Sequence, residues 1–166
     1  MIPTTLPSHI VDAWTFVHGA RWCFEALPPG HPPVVEPALA LTVSLGARDG
    51  GPALLVGCLI RHEDAVDLAR HMFAPPDGQV SADDVRDAGQ EACNVLAGSV
   101  VADSDDPAGL RIGLPQALTL QQYQDIAGRA QVRACYVGRP SSGDDAVRVV
   151  LTLFDLPAPA TARDPS

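Results

Sequence analysis

Lysine is absent from this 166-residue sequence: all 11 basic residues are arginine, set against 20 acids, for a net charge of −9 at pH 7. Binding to nucleic acid or to an anionic membrane surface depends on clustered basic side chains, so a chain this acidic is expected to do neither. Glutamate is scarce as well. Only Glu25, Glu36, Glu63 and Glu91 occur beside 16 aspartates, so a glutamate inside a helix departs from the chain's habit. The four cysteines, Cys23, Cys58, Cys93 and Cys135, show neither CxxC nor CxxC…HxxxH spacing, which excludes a recognisable zinc site or redox pair. They read as small buried hydrophobes in a reducing compartment. His18, His31, His62 and His71 make no HxxxH pair and signal no metal site. The acid-rich Asp103-Ser104-Asp105-Asp106 lacks the glycine and closing glutamate of a calcium loop and reads as a solvated turn. No apolar run reaches the ~18 residues of a membrane span. The opening MIPTTLPSHIVDAW lacks the basic start and compact apolar centre of a secretory signal. The expectation is a soluble, cytoplasmic protein.

What is present is enough apolar material for a core. Hydrophobic residues make up 46% of the chain and charged residues 19%, proportions that exclude wholesale disorder. One domain is expected over residues 1–156, followed by a disordered tail, PAPATARDPS, over 157–166. Apolar spacing predicts a first helix from about Ser8 to Leu27, with Ser8 as N-cap and Ile10, Val11, Trp14, Val17, Phe24 and Leu27 near one face. Trp14, Trp22 and Phe24 read as core residues. The runs ALALTVSL and PALLVGCLI flank Arg48-Asp49-Gly50-Gly51 and read as a hairpin. A second helix, about His62 to Ala74, carries Val66, Ala69 and Phe73 inward and stops at Pro75-Pro76-Asp77-Gly78. LRIGLP, AQVRACYV and AVRVVLTLF read as strands; LTLQQYQDIAGRA is either a short helix or an irregular edge. Helices mixed with hairpins, without βαβ alternation, imply an α+β domain: an antiparallel sheet of about five to six strands with helices packed on it.

The third helix carries the functional signal. It is expected to run from a Ser81 cap, with Asp84 reaching back and Asp83 at the positive dipole end, to about Val101. Val85, Ala88, Ala92, Val95, Leu96 and Ser99 fall at core spacing. Asp87, Glu91, Asn94 and Gly98 fall on a neighbouring polar stripe at i, i+4, i+7 and i+11. Glycine and asparagine inside a helix each cost roughly 0.6 to 1 kcal/mol relative to alanine, and this helix holds Gly89, Asn94 and Gly98. Such violations concentrate where a partner must approach closely or an amide is wanted for what it can bond. The plainer reading is that a glycine eases packing on a sheet and that a surface amide beside a surface acid does nothing further.

The run Asp87-Ala88-Gly89-Gln90-Glu91-Ala92-Cys93-Asn94, followed by Gly98 and then by Gly113-Leu114-Pro115, resembles the signature of the CheC/CheX/FliY family of chemotaxis phosphatases. In that family an acidic residue or serine precedes ExxN, and a proline follows at a strand. The helix containing Glu63, Ala65, Leu68, Ala69, Met72 and Phe73 is similar to a second stretch of the family, and the order of elements agrees from about Ile10 to Phe154. The resemblance implies a hydrolase, a protein phosphatase that removes phosphate from the aspartate of a CheY-like response-regulator receiver domain in two-component signalling. Glu91 and Asn94 would be catalytic, Asp87 and Gly98 partner-binding. It implies no cofactor of the chain's own, with Mg2+ held by the receiver, and a single-motif CheX form that pairs into a homodimer through sheet edges. A non-catalytic module that binds a response regulator, or a signalling or flagellar assembly, is the alternative.

Overall fold

The computed structural model describes residues 8–28, 30–50 and 54–156. The expected tail over 157–166 lies outside them. The described chain forms helix α1 (Ser8–His18), strands β1 (Trp22–Leu27), β2 (Ala38–Ala47) and β3 (Leu54–Arg61), and helices α2 (His62–Phe73) and α3 (Ala82–Ala102). A 3-10 turn at Pro107–Gly109 leads into β4 (Leu110–Ile112) and β5 (Gln116–Leu118), then α4 (Leu120–Arg129), β6 (Gln131–Pro140) and β7 (Val149–Asp155). The strands make one antiparallel sheet in the order β1-β6-β7-β3-β2-β4, with β5 pairing β2 beside β4. This is the expected α+β architecture, with seven strands among the described residues.

Both faces of the sheet are covered. Neighbouring residues of a strand point to opposite sides, and Leu59/Ile60 and Val150/Leu151 divide accordingly. Ile60 and Leu151 join Ile10, Trp14, Leu68, Ala92 and Leu96 beneath α1, α2 and α3. Leu59 and Val150 join Tyr123, Val137 and Phe154 beneath α4. All of these are buried, each contributing on the order of 1.5–3 kcal/mol of hydrophobic stabilisation if it is a large aliphatic side chain. The central strands β3 and β7 are therefore apolar almost throughout, rather than alternating.

Three expectations need correction. The first helix does not extend to Leu27. It stops at His18, because Gly19 turns into the left-handed region at φ +79° and the His71 ring fills the space where a Cβ would sit, 2.5 Å away. Trp22–Leu27 is instead the edge strand β1, with aromatic Trp22 and Phe24 alternating with exposed Cys23 and Glu25. Ser8 is the first residue of α1 rather than a cap described in front of it. Second, α2 turns Ala65, Leu68 and Ala69 inward with Val66 half-buried, while Phe73, in its last turn, is 49% exposed. Third, Cys58, Cys93 and Cys135 are buried as expected but Cys23 is exposed, a consequence of its place on the outward face of an edge strand. The ambiguous segment resolves as α4, closed by a capping box in which Thr119 and Gln122 bond each other's backbone amides.

Candidate functional site

Helix α3 begins where its sequence says it should. The Ser81 hydroxyl accepts the Asp84 amide at 3.1 Å, and Asp84 accepts the Ser81 amide at 2.7 Å, which satisfies two of the first-turn donors. The Ser81 amide and then the Ser81 hydroxyl, both donating to the Asp84 carboxylate, hold it below the usual carboxylate range. From there the helix lays Val85, Ala88, Ala92, Cys93, Leu96 and Val100 onto the sheet. Val95 and Ser99, expected in the core, are half-exposed. Helical geometry then leaves the opposite side to the polar stripe. Asp87 and Glu91 are exposed, and Asn94 and Gly98 are half-exposed. Among the described residues, the side chains of Asp87, Glu91 and Asn94 make no hydrogen bond or ion pair. At i and i+3, Glu91 and Asn94 stand roughly 5–6 Å apart at their Cβ atoms, a carboxylate and a carboxamide side by side with their polar ends free.

Two of the helix's three rule-breaking residues separate at this point. A Cβ on Gly89 would lie 2.3 Å from Leu39 Cδ2 and 3.0 Å from Leu41 Cδ1, so this glycine lets α3 close onto β2. A Cβ on Gly98 would meet nothing nearer than Ile112 Cδ1 at 4.0 Å. Packing within the chain does not require Gly98. Asn94 is also the only asparagine in the sequence, a signal that composition alone carries and that spacing did not use.

One flank of the stripe is formed by the β4–β5 segment. The Gln90 side-chain amide donates to the Pro115 carbonyl at 3.4 Å, and Ile112 lies against the Gly98 position. Pro115 therefore sits beside the helix turn that carries Glu91, a tertiary contact that the sequence separation conceals. Cys93, next to Asn94 in sequence, points the other way; burial pushes its thiol up to about 12, so it is not a thiolate nucleophile at neutral pH. No group of three or more His, Cys, Asp or Glu able to hold a metal occurs among the described residues.

The stripe lies along the outward face of α3. A cleft of about 350 Å³ opens elsewhere, lined by Arg48, Leu54, Val100, Asp106, Gly109 and Arg133 among others, and includes no residue of the stripe. Small-molecule sites are concave and mostly apolar. A line of exposed, unpaired polar groups on a helix face instead suits contact with another macromolecule.

No family model matches the chain, and no curated protein matches it at a significant level. Solved structures do. The crystal structure of a CheC-like superfamily protein from Shewanella sp. PV-4 overlays with a TM-score of 0.62 at 7% identity, over 90% of this chain and 94% of that one. The chemotaxis protein CheX from Desulfovibrio desulfuricans gives 0.57 at 13% identity, over 90% and 95%. A chain in the CheX-CheY-BeF3-Mg2+ complex from Borrelia burgdorferi gives 0.60 at 13% identity, over 92% and 99%. At such identities the likeness is one of fold: this chain has the α+β fold of CheX and CheC-like chemotaxis proteins.

Proposed function

We propose that this chain is a phosphatase for the aspartyl-phosphate of a response-regulator receiver domain, with Asn94 orienting the attacking water and Glu91 engaging the partner. The observation that carries the reading is the pairing of Glu91 and Asn94, unpartnered, on the outward face of a rigidly capped helix. An acyl phosphate is already activated toward hydrolysis. It needs a water in line with the P–O bond and little covalent chemistry from the protein. A carboxamide suits this chemistry because Oδ1 accepts a hydrogen bond from the water, Nδ2 can donate to a phosphoryl oxygen, and neither titrates. Water oxygen bonds to phosphorus, the bond to the aspartyl oxygen breaks, and the products are the free carboxylate, inorganic phosphate and a proton released to solvent. Glu91 makes a charge-assisted contact with a basic side chain at the rim of the partner's pocket and so aligns Asn94. Asp87 adds a contact one turn earlier, and Gly98 lets the partner's backbone come close. The Mg2+ that neutralises phosphoryl charge belongs to the receiver. Further support is that a protein of the same fold has been crystallised with CheY, BeF3 and Mg2+. The proposal includes a cytoplasmic homodimer paired through the free edge at β1, which sedimentation would register as twice the 17.4 kDa mass.

The test is release of inorganic phosphate from phosphorylated receiver domains of the same genome, with the native chain, Asn94→Ala and Glu91→Ala. The native chain accelerates release and both variants lose the acceleration; equal rates for all three reject the reading. Receiver binding without acceleration by the native chain, unchanged by Asn94→Ala, would select a non-catalytic binding module instead.

A further inference from the structure

Beside the polar stripe the chain holds a leucine in solvent, between two anchored residues. Strand β4 pairs with β2 only through Leu45↔Ile112 to Ala47↔Leu110, and β5 resumes the pairing at Thr42↔Gln116. Between them, Gly113 donates its amide to the Ser44 carbonyl at 2.8 Å. A Cβ on Gly113 would lie 2.3 Å from Ser44 Oγ and 3.3 Å from the Ser44 carbonyl oxygen, so a side chain here would crowd β2. Pro115 is tied to α3 through Gln90. The segment is thus fastened on both sides, and Leu114 between the two anchors is 85% exposed, with Ile112 41% exposed on the same alternation.

The place is as telling as the exposure. Ile112 lies beside Gly98 and Pro115 beside Gln90, so the segment runs antiparallel to α3. Gln90 to Gly98 spans roughly 12 Å of helix and Ile112 to Pro115 roughly 10 Å of strand. Leu114 therefore stands level with the turn of Glu91 and Asn94. An apolar side chain level with Glu91, which like Asp87 makes no ion pair among the described residues, complements a pocket rim that is basic and partly apolar. A phosphorylated pocket needs cationic groups about its phosphoryl oxygens. A second copy of this chain would instead bring the same acids to the same interface.

We infer that Leu114 is the apolar anchor of the receiver-binding surface and a determinant of which receiver is accepted; the inference rests on the phosphatase reading above. Burying one exposed leucine side chain at the centre of an interface corresponds to about tenfold or more in affinity. The experiment titrates the native chain, Leu114→Ser and Leu114→Met against beryllofluoride- and Mg2+-loaded receiver domains of the same genome, and measures KM and kcat on the phosphorylated forms. Leu114→Ser raises Kd and KM about tenfold with kcat retained, and the similarly sized Leu114→Met stays within about threefold of native. An unchanged Kd for Leu114→Ser, while Asn94→Ala abolishes turnover, overturns the inference and leaves the phosphatase reading standing. If the native chain neither binds nor dephosphorylates any receiver, both fall. If Leu114→Ser splits a native dimer without altering receiver affinity, the surface belongs to self-association and the inference is overturned.

Discussion

Gly89 and Gly98 occupy the same helix and carry the same intrinsic cost, about 1 kcal/mol each relative to alanine, yet their surroundings are opposite. Gly89 is buried, and a Cβ there would press on the Leu39 and Leu41 side chains of β2; Gly98 is half-exposed, and a Cβ there would only touch Ile112 Cδ1 at 4.0 Å. One is explained by the fold and the other is not. Helix α3 packs through one face and leaves the other, which carries Glu91 and Asn94, to solvent. A count of helix-breaking residues therefore cannot identify a site, since half of this glycine pair is plain packing.

The outward face of α3 should respond most strongly to substitution. Asn94→Ala is expected to lower receiver dephosphorylation by about 100-fold, the usual scale for losing one positioned polar group. It should leave the thermal midpoint unchanged or slightly raised, since alanine is the better helix former. A large fall in stability would mean that Asn94 holds the fold. Next comes the packing face. Gly89→Val forces a branched side chain into Leu39 and Leu41 and should destabilise the chain by about 2–3 kcal/mol, a drop of roughly 5–10 °C in a thermal melt. Gly98→Ala should do the reverse: about 1 kcal/mol more stable and roughly 2–4 °C higher in midpoint, with weaker receiver binding. If Gly98→Ala were stabilised and fully active, close approach at Gly98 would be wrong.

The smallest effect tests the inward side of the helical layer by pH. His18 accepts a hydrogen bond from Trp22 Nε1 at 3.2 Å and packs against both tryptophans, its ring 5.7 Å from Trp14 and 5.0 Å from Trp22. Burial holds its pKa below the usual 6.5; Asp67 pulls it up, and His71 and Arg148 push it further down. The unfolded chain takes up the proton first, so this residue costs nothing above pH 6.5 and lowers stability as pH falls below it. Asp64 has the opposite sign at lower pH: burial holds its carboxyl above the usual 3.8 despite Arg148, so its protonation favours the folded state. The sequence contains only two tryptophans, so intrinsic fluorescence during denaturant titrations at about pH 7.5 and about pH 5.5 reads this cluster directly. His18→Gln should flatten the difference, while activity per folded molecule stays put.

Much of the fold was legible because its signals are local. The Ser81 and Asp84 pairing, the β2–β3 hairpin and the extent of α2 and α3 all follow from residues a few positions apart. The first helix failed for a tertiary reason: Trp22-Cys23-Phe24 satisfies helical spacing from Trp14, but Gly19 against His71 breaks the chain there, and β6 offers Trp22–Leu27 a ladder. Phe73 has the periodicity of an inward residue but is the last residue of α2 and 49% exposed, since periodicity gives a direction and not how far the core extends beneath a helix end. On α3, spacing placed Glu91 and Asn94 on one outward face, where the structure also has them. The contacts of Gln90 with Pro115 and of Gly98 with Ile112 were not legible, since nothing local says that residue 115 returns to residue 90.

The amino-acid sequence alone determined the α+β class, the capped third helix, and the fact that a carboxylate and the chain's sole asparagine stand one turn apart on it, because helical phase follows from covalent geometry and hydrogen bonds that close within four residues. Tertiary structure decided which glycine is spoken for and which is open, and it brought β4 and β5 alongside that turn. Those outcomes depend on contacts between residues far apart in the chain, whose distances no local periodicity encodes.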